Sequence, residues 1–297
     1  MKKAFVFLFL LISLSFAHTV LAEPVKVVVS IHPLYDITKQ IGKDKVSVKT
    51  LLPPAASPHT FEPTPKQMME LHDAKIFIKI GAGLEFWADR IVKAASNKNL
   101  MAVDLSKDMP LIHSTHKHEH KHEHAGQAAD PHFWLDPVLT KNIVDKIAST
   151  LIKVDAQNKK FYMDNAETYK KELDKLNEEI IQKVGTFKTK GYVTFHPAWN
   201  YFSKRYGLRV IGVIEEAPGR EPAPGDVARI IKDLKKSDIR VVFAEPQFNP
   251  KIAEAIAKEA NAKVLFLDPI GASNAPDRDS YLKLMRYNIS QMERAMK

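Results

Sequence analysis

Residues 156–186 carry a helical pattern that constrains everything on either side of them. Phe161, Ala166, Tyr169, Leu173, Leu176, Ile180 and Val184 recur mostly at three- and four-residue spacing, with Lys and Glu on the opposite face. That is the pattern of one amphipathic helix. From about Ala156 to Thr186 it runs roughly 45 Å at 1.5 Å per residue, longer than most globular helices. A helix of this length is a stiff strut, and no Gly- or Ser-rich linker accompanies it to provide a hinge.

Short β-branched runs bounded by turn residues flank the strut. Before it they predict strands at 25–31, 46–51, 76–80 and 100–104; after it, at 192–195, 208–213, 239–244 and 263–267. Helical patterns alternate with them, which implies an α/β fold of two similar lobes, each with a mostly parallel four-stranded sheet. The halves echo each other: VSIHPLYDI at 29–37 matches VTFHPAWNY at 193–201, EPTP at 62–65 matches EPAP at 221–224, and Asp104 and Asp268 each end a fourth strand. Three matches in one order favour duplication of a lobe. The expected organisation is a signal peptide at 1–22, a first lobe at 23–155, the linking helix at 156–186 and a second lobe at 187–297.

The signal peptide is read from Lys2 and Lys3, the apolar run from Ala4 to about Phe16, and cleavage after about Ala22. A retained anchor is the alternative, but the run falls short of the roughly 20 residues a spanning helix needs. The formal charge of +9 includes those two lysines, and the remaining charges alternate in sign. A solvated surface explains that better than a nucleic-acid footprint. There is no cysteine, so disulfides, thiolate metal sites and a lipidated N-terminal cysteine are all excluded. An exported, unanchored chain of this kind is expected to be free in a Gram-negative periplasm, and to act as a monomer.

Four stretches place a possible metal ligand beside prolines: SPHTFEPTP around His59, DPHFWLDP around His132, TFHPAWNYF around His196 and LFLDPIG around Asp268. Proline fixes local backbone direction and limits the entropy lost when side chains converge. His59, His196 and Asp268 are expected at strand C-terminal ends, which face the crevice in α/β lobes. Each also has a plainer reading. A lone histidine after a strand is commonly just hydrogen-bonded, Asp268-Pro269 fits a turn, and Asp136-Pro137 reads as a helix N-cap followed by proline. His32, which the repeat pairs with His196, is read as a cleft or packing residue.

Taken together, PHTFEPTPKQM, GAGLEFWADR, DPHFWLDP, FHPAWNYFSKRYGL, EPQF and LDPIG resemble, in order and over the whole mature chain, the motifs of the substrate-binding proteins of zinc and manganese ABC transporters. A His-rich loop before the second ligand motif is similar to that of the zinc-importing members. The resemblance implies that His59, His132, His196 and Asp268 surround one ion in the interlobe cleft, with water or a glutamate as the alternative to Asp268. It also implies a membrane permease as partner and the long helix as a rigid backbone. Manganese-selective relatives commonly carry glutamate in the place of His196; three imidazoles favour zinc. Since each imidazole must be neutral to coordinate, affinity is expected to fall between about pH 7.5 and pH 5.5.

His113, His116, His118, His120, His122 and His124 alternate with Lys and Glu and lack apolar partners. They are expected to form a mobile loop of weak accessory metal sites; an unselected polar insertion is the plain alternative. The function expected is high-affinity zinc capture for an ABC importer, without catalysis. A zinc hydrolase is disfavoured, since no HExxH-type helix is present and four protein ligands would close the coordination sphere. Uptake of manganese or another divalent metal, and a periplasmic zinc buffer or adhesin, remain the alternatives.

Overall fold

Apolar continuity decides which strands lie inside. In the computed structural model, which describes residues 23–113 and 129–297, the more continuously buried strands are central and the more exposed ones form edges. The first half contains β1 (Val25–Val29), α1 (His32–Gly42), β2 (Val46–Thr50), α2 (Pro65–Glu70), β3 (Ile76–Lys79), α3 (Ala88–Ala94) and β4 (Met101–Asp104). Then come α4 (Pro137–Val154) and the strut α5 (Lys159–Gly185). The second half contains β5 (Gly191–Thr194), α6 (Asn200–Tyr206), β6 (Arg209–Val213), α7 (Pro224–Lys236), β7 (Val241–Ala244), α8 (Lys251–Ala260), β8 (Lys263–Phe266) and α9 (Tyr281–Met296). The central strands β5 and β7 are buried at every position, whereas the edge strand β2 alternates, as parallel sheets covered by helices require.

The sheets have orders β2-β1-β3-β4 and β6-β5-β7-β8, with every pairing parallel. The second order is the first shifted by four strands, so the short repeats of the sequence correspond to one topology used twice. In each sheet the chain turns opposite ways from the two central strands. A crevice therefore opens at the C-terminal ends of β1 and β3, and of β5 and β7. The expected signal peptide at 1–22 and the loop histidines His116, His118, His120, His122 and His124 lie outside the described residues.

Helix α5 begins after a 3-10 turn at Ala156–Asn158 and, at 27 residues, extends about 40 Å. Its buried seam is Tyr162, Ala166, Tyr169, Leu173, Leu176, Ile180 and Val184. Tyr162 takes the seam position that the sequence pattern gives to Phe161, because it stands four residues before Ala166 where Phe161 stands five; its hydroxyl is satisfied by the Asp155 carboxylate at 2.5 Å. The seam packs against α4 and α1 on one side and α9 and α6 on the other. Burial of each large apolar side chain along it contributes about 1.5–3 kcal/mol.

Polar ties lock the halves across this strut. Asp36 of α1 is buried, and its Oδ2 accepts the Tyr169 hydroxyl of α5 at 3.2 Å and the Tyr281 backbone N–H of α9 at 2.9 Å. Tyr281 in turn donates its hydroxyl to the Trp134 carbonyl at 2.7 Å, and the Trp134 indole donates to the Pro269 carbonyl at 2.8 Å. His32 is one of these ties: its Nε2 donates to the Asp279 carbonyl at 2.9 Å, in keeping with the packing role expected of it. Asp136 caps α4 by accepting from Val138 and Leu139 N–H, with Pro137 at the first turn, and its other oxygen pairs with Arg205 of α6.

Truncating Asp36 leaves the Tyr169 hydroxyl and the Tyr281 N–H buried without their acceptor. Asp36→Ala is expected to lower unfolding free energy by about 2–4 kcal/mol, read from denaturant melts of the metal-free protein. A change within experimental error would show that the tie carries no weight.

Candidate metal centre

Three loops bring three imidazoles to the crevice from different parts of the chain. His59 stands in the segment that joins β2 to α2, at the turn 58–60. That turn is fixed from below, since the Trp87 indole donates to the Pro58 carbonyl at 3.1 Å and Phe61 packs edge-on against Trp87. His132 precedes a 3-10 turn, Phe133–Leu135, whose Leu135 N–H returns to the His132 carbonyl and which leads directly into the capped α4. His196 lies two residues beyond β5, where Ala198 N–H closes on its carbonyl and Phe248 packs beside its ring.

Nε2 of His132 lies 3.1 Å from Nε2 of His59 and 3.3 Å from Nε2 of His196. Donors about 2.0–2.1 Å from a tetrahedral zinc stand about 3.3–3.4 Å from one another, so the spacing already matches that ion. His132 and His196 are 4 % and 3 % exposed, and His59 is half-buried at the rim. The cavity they share with Ser57, Trp134, Glu245, Gln247, Phe248 and Ile270 measures ≈ 10 Å³. That is about one water's worth of free space beside the rings, too little for an organic solute.

Carboxylates decide which nitrogen is free. His132 Nδ1 donates to Asp130 Oδ1 at 2.8 Å, and His196 Nδ1 lies 2.6 Å from Glu245 Oε2. A carboxylate takes the proton-bearing nitrogen, which leaves the Nε2 lone pair pointing inward and raises its basicity as a ligand. Two lone pairs 3.3 Å apart repel each other, and a cation between them removes that repulsion. Glu245 is completely buried and follows β7 immediately, so the neighbouring strands β5 and β7 deliver ligand and carboxylate together. Asp130 is tied to the second half as well, through Asn200 Nδ2 at 3.0 Å and, on its carbonyl, the Tyr201 hydroxyl at 2.9 Å.

Asp268, expected as the fourth donor, is not brought into this group. Its Oδ1 accepts from Gln247 Nε2, Ile270 N–H and Gly271 N–H at 2.9, 3.0 and 2.9 Å, and its Oδ2 pairs with Arg278 at 2.8 Å. With both oxygens engaged and an arginine balancing its charge, it is held as part of the cavity's support. Among the accessory histidines, His113 is described; it is exposed and forms an isolated antiparallel bridge with Ala129. Asp130, Glu245 and Gln247 carry roles that the sequence reading did not assign, although EPQF marks two of them and Asp130 stands two residues before His132.

Burial, then the neighbouring His132 and His196, push the His59 pKa down to about 2. Burial also lowers that of His132, outweighing the opposite pull of Asp130. His59 therefore stays neutral well below the ordinary histidine range and the His132 pKa is lowered with it, so protons compete with metal later than the sequence alone suggests. At an unperturbed pKa near 6.5, each histidine would weaken binding about tenfold between pH 7.5 and pH 5.5. The three together would then weaken it roughly thousandfold. Competition titrations are expected to show a much smaller loss, and a thousandfold loss would contradict the depressed values. The metal-free fold also loses stability in acid. The unfolded chain binds protons at His59 and His132 below about pH 6.5 that the folded chain refuses, so stability falls as pH drops through that value.

Comparison with known proteins gives a consistent result. The family model described as ZnuA, zinc-uptake complex component A, periplasmic, matches residues 27–295. The chain is 32% identical over 281 residues to the high-affinity zinc uptake system protein ZnuA of Bacillus subtilis, covering 91% of this chain and 87% of the relative. It is 31% identical over 315 residues to the zinc-binding protein AdcA of Streptococcus pyogenes, covering 98% of this chain but 61% of that longer relative. A crystal structure of ZnuA superimposes with a TM-score of 0.82 at 32% identity, over 92% of this chain and 100% of the other.

Proposed function

The chain belongs to the ZnuA family of periplasmic zinc-uptake components, and from that premise we propose that it captures zinc in its interlobe crevice and hands it to the membrane permease of an ABC importer. The observation that carries this reading is the convergence of three inward-facing Nε2 atoms on a cavity of single-ion size, with carboxylates behind two of the rings. His59, His132 and His196 are the proposed ligands. An all-imidazole set suits zinc better than manganese, which prefers oxygen donors.

Zinc is cargo here and not a catalyst. A hydrolase would need room for its substrate next to the metal and a general base beside the bound water; the cavity offers neither, since Glu245 is committed to His196. Export through the N-terminal signal, with cleavage after about Ala22, agrees with the periplasmic description of the family. Among the described residues no helix is long and apolar enough to cross a membrane. The proposed lobes are 23–155 and 187–297, with 156–186 between them as the backbone helix. The histidines of 113–124 are proposed as an accessory collector that raises local zinc concentration near the crevice.

Protein purified without added metal, then titrated against a chelator of known affinity, is expected to bind one zinc tightly. His196→Ala is expected to weaken that site by a hundredfold or more, about 2.7 kcal/mol or greater. Unaltered affinity would sink the ligand assignment. Deleting residues 113–124 is expected to reduce the weak equivalents seen by calorimetry and leave the tight one. The ordering entropy of a polar His, Lys and Glu run subtracts from its affinity. Loss of the tight site in the deletion would mean that the run supplies a primary ligand.

A further inference from the structure

Four buried side-chain polar atoms on residues lining the three-histidine cavity have no hydrogen-bond partner among the described residues: Nδ1 of His196, Oε2 of Glu245, Oγ of Ser57 and Oε1 of Gln247. The first two lie 2.6 Å apart and answer each other. Ser57 Oγ and Gln247 Oε1 remain. They come from opposite halves, Ser57 from the loop that carries His59 and Gln247 from the loop that follows β7. Evolution rarely leaves a buried oxygen unpaired without a use, because its desolvation goes uncompensated.

The orientation of the Gln247 amide is fixed by its neighbour. Its Nε2 donates to Asp268 Oδ1 at 2.9 Å, and an ionised carboxylate can only accept. Asp268 itself cannot turn, since Ile270 N–H, Gly271 N–H and Arg278 hold both of its oxygens. The oxygen of the amide, not the nitrogen, is thereby left over on a residue of the cavity wall. Three imidazoles fill three corners of a zinc tetrahedron and leave one. A zinc-bound water has its oxygen lone pair on the metal and two polarised O–H groups to place.

Resting on the three-histidine reading, we infer that the fourth donor to zinc is a water whose two O–H groups are accepted by Ser57 Oγ and Gln247 Oε1. Asp268 then acts one step back, as the positioning residue that turns the glutamine oxygen toward that water. The pairing also fits a carrier. A serine hydroxyl and an amide oxygen hold a water without drawing its proton away, so the metal is capped and the water is not made into a nucleophile.

The test is zinc affinity by competition titration for wild type, Ser57→Ala, Ser57→Thr, Gln247→Met, Asp268→Asn and the Asp268→Asn/Gln247→Met double variant. Metal-free thermal melts and a zinc-loaded wild-type crystal structure accompany it. Ser57→Ala and Gln247→Met are each expected to weaken zinc about tenfold, as loss of an outer hydrogen bond to a metal ligand does, with metal-free melts unchanged. Ser57→Thr keeps the hydroxyl and is expected to keep the affinity. Because Asp268 works through Gln247, the double variant is expected to bind no more weakly than Gln247→Met alone. The zinc-loaded structure is expected to show one non-protein oxygen on the metal within hydrogen-bond reach of both residues. Wild-type affinity in Ser57→Ala and Gln247→Met, an Asp268 carboxylate on the metal, or additive losses in the double variant would each overturn the inference while leaving the carrier reading intact. Absence of tight zinc binding in the wild type would overturn the carrier reading first.

Discussion

Three imidazole lone pairs aimed at one point repel one another, and the rest of the molecule is arranged to hold them there. Asp130 and Glu245 fix the tautomers of His132 and His196 from behind. Those carboxylates are held by elements of the second half, Asp130 by Asn200 and Tyr201, Glu245 by its place at the end of a central strand. Behind them, Asp36, Tyr169, Tyr281 and Trp134 form a buried polar chain that links α1, α5, α9 and the His132 turn. The ordering cost of the site is thus met during folding, and little of it is left to oppose the ion when it binds.

Much of this was legible in the sequence, and the parts that were not share a physical reason. β-Branched runs, the Asp136-Pro137 cap and the seam of α5 are local patterns whose periods are set by backbone geometry, so they could be read from spacing. The three histidines could be read because proline-flanked motifs mark them. Asp268 was read as a metal ligand, and the structure sets it on Arg278 instead: whether an aspartate meets a metal or an arginine depends on where Arg278 lands, ten residues away on a loop. Asp130, Glu245 and Gln247 were hidden for the same reason, since a carboxylate or amide gains its role only from the ring that faces it. At α5 the seam begins at Tyr162 and not at Phe161, since Tyr162 stands four residues before Ala166 and Phe161 five, a step that falls off the helical stripe.

The repeated topology gives corresponding positions of the two halves different work. At the first sheet's switch point, Glu85 is as buried as Glu245 but accepts from the Ser30 hydroxyl at 2.6 Å and from the N–H groups of Ile80 and Gly81. Its carboxylate is consumed in holding the 81–85 loop, whose Gly81 and Gly83 take positive φ. His32, the counterpart of His196 in the repeat, opens α1 and turns to the Asp279 carbonyl instead. Equivalent positions thus serve structure on one side and ligand alignment on the other.

Among the described residues His59 differs from its two partners in having no carboxylate hydrogen-bonded to its ring and in sitting half-buried on a connecting segment instead of at a strand end or a capped helix. Burial is thus uneven around the three nitrogens, and an ion held by them would be most open to exchange on the His59 side, where the covering is thinnest.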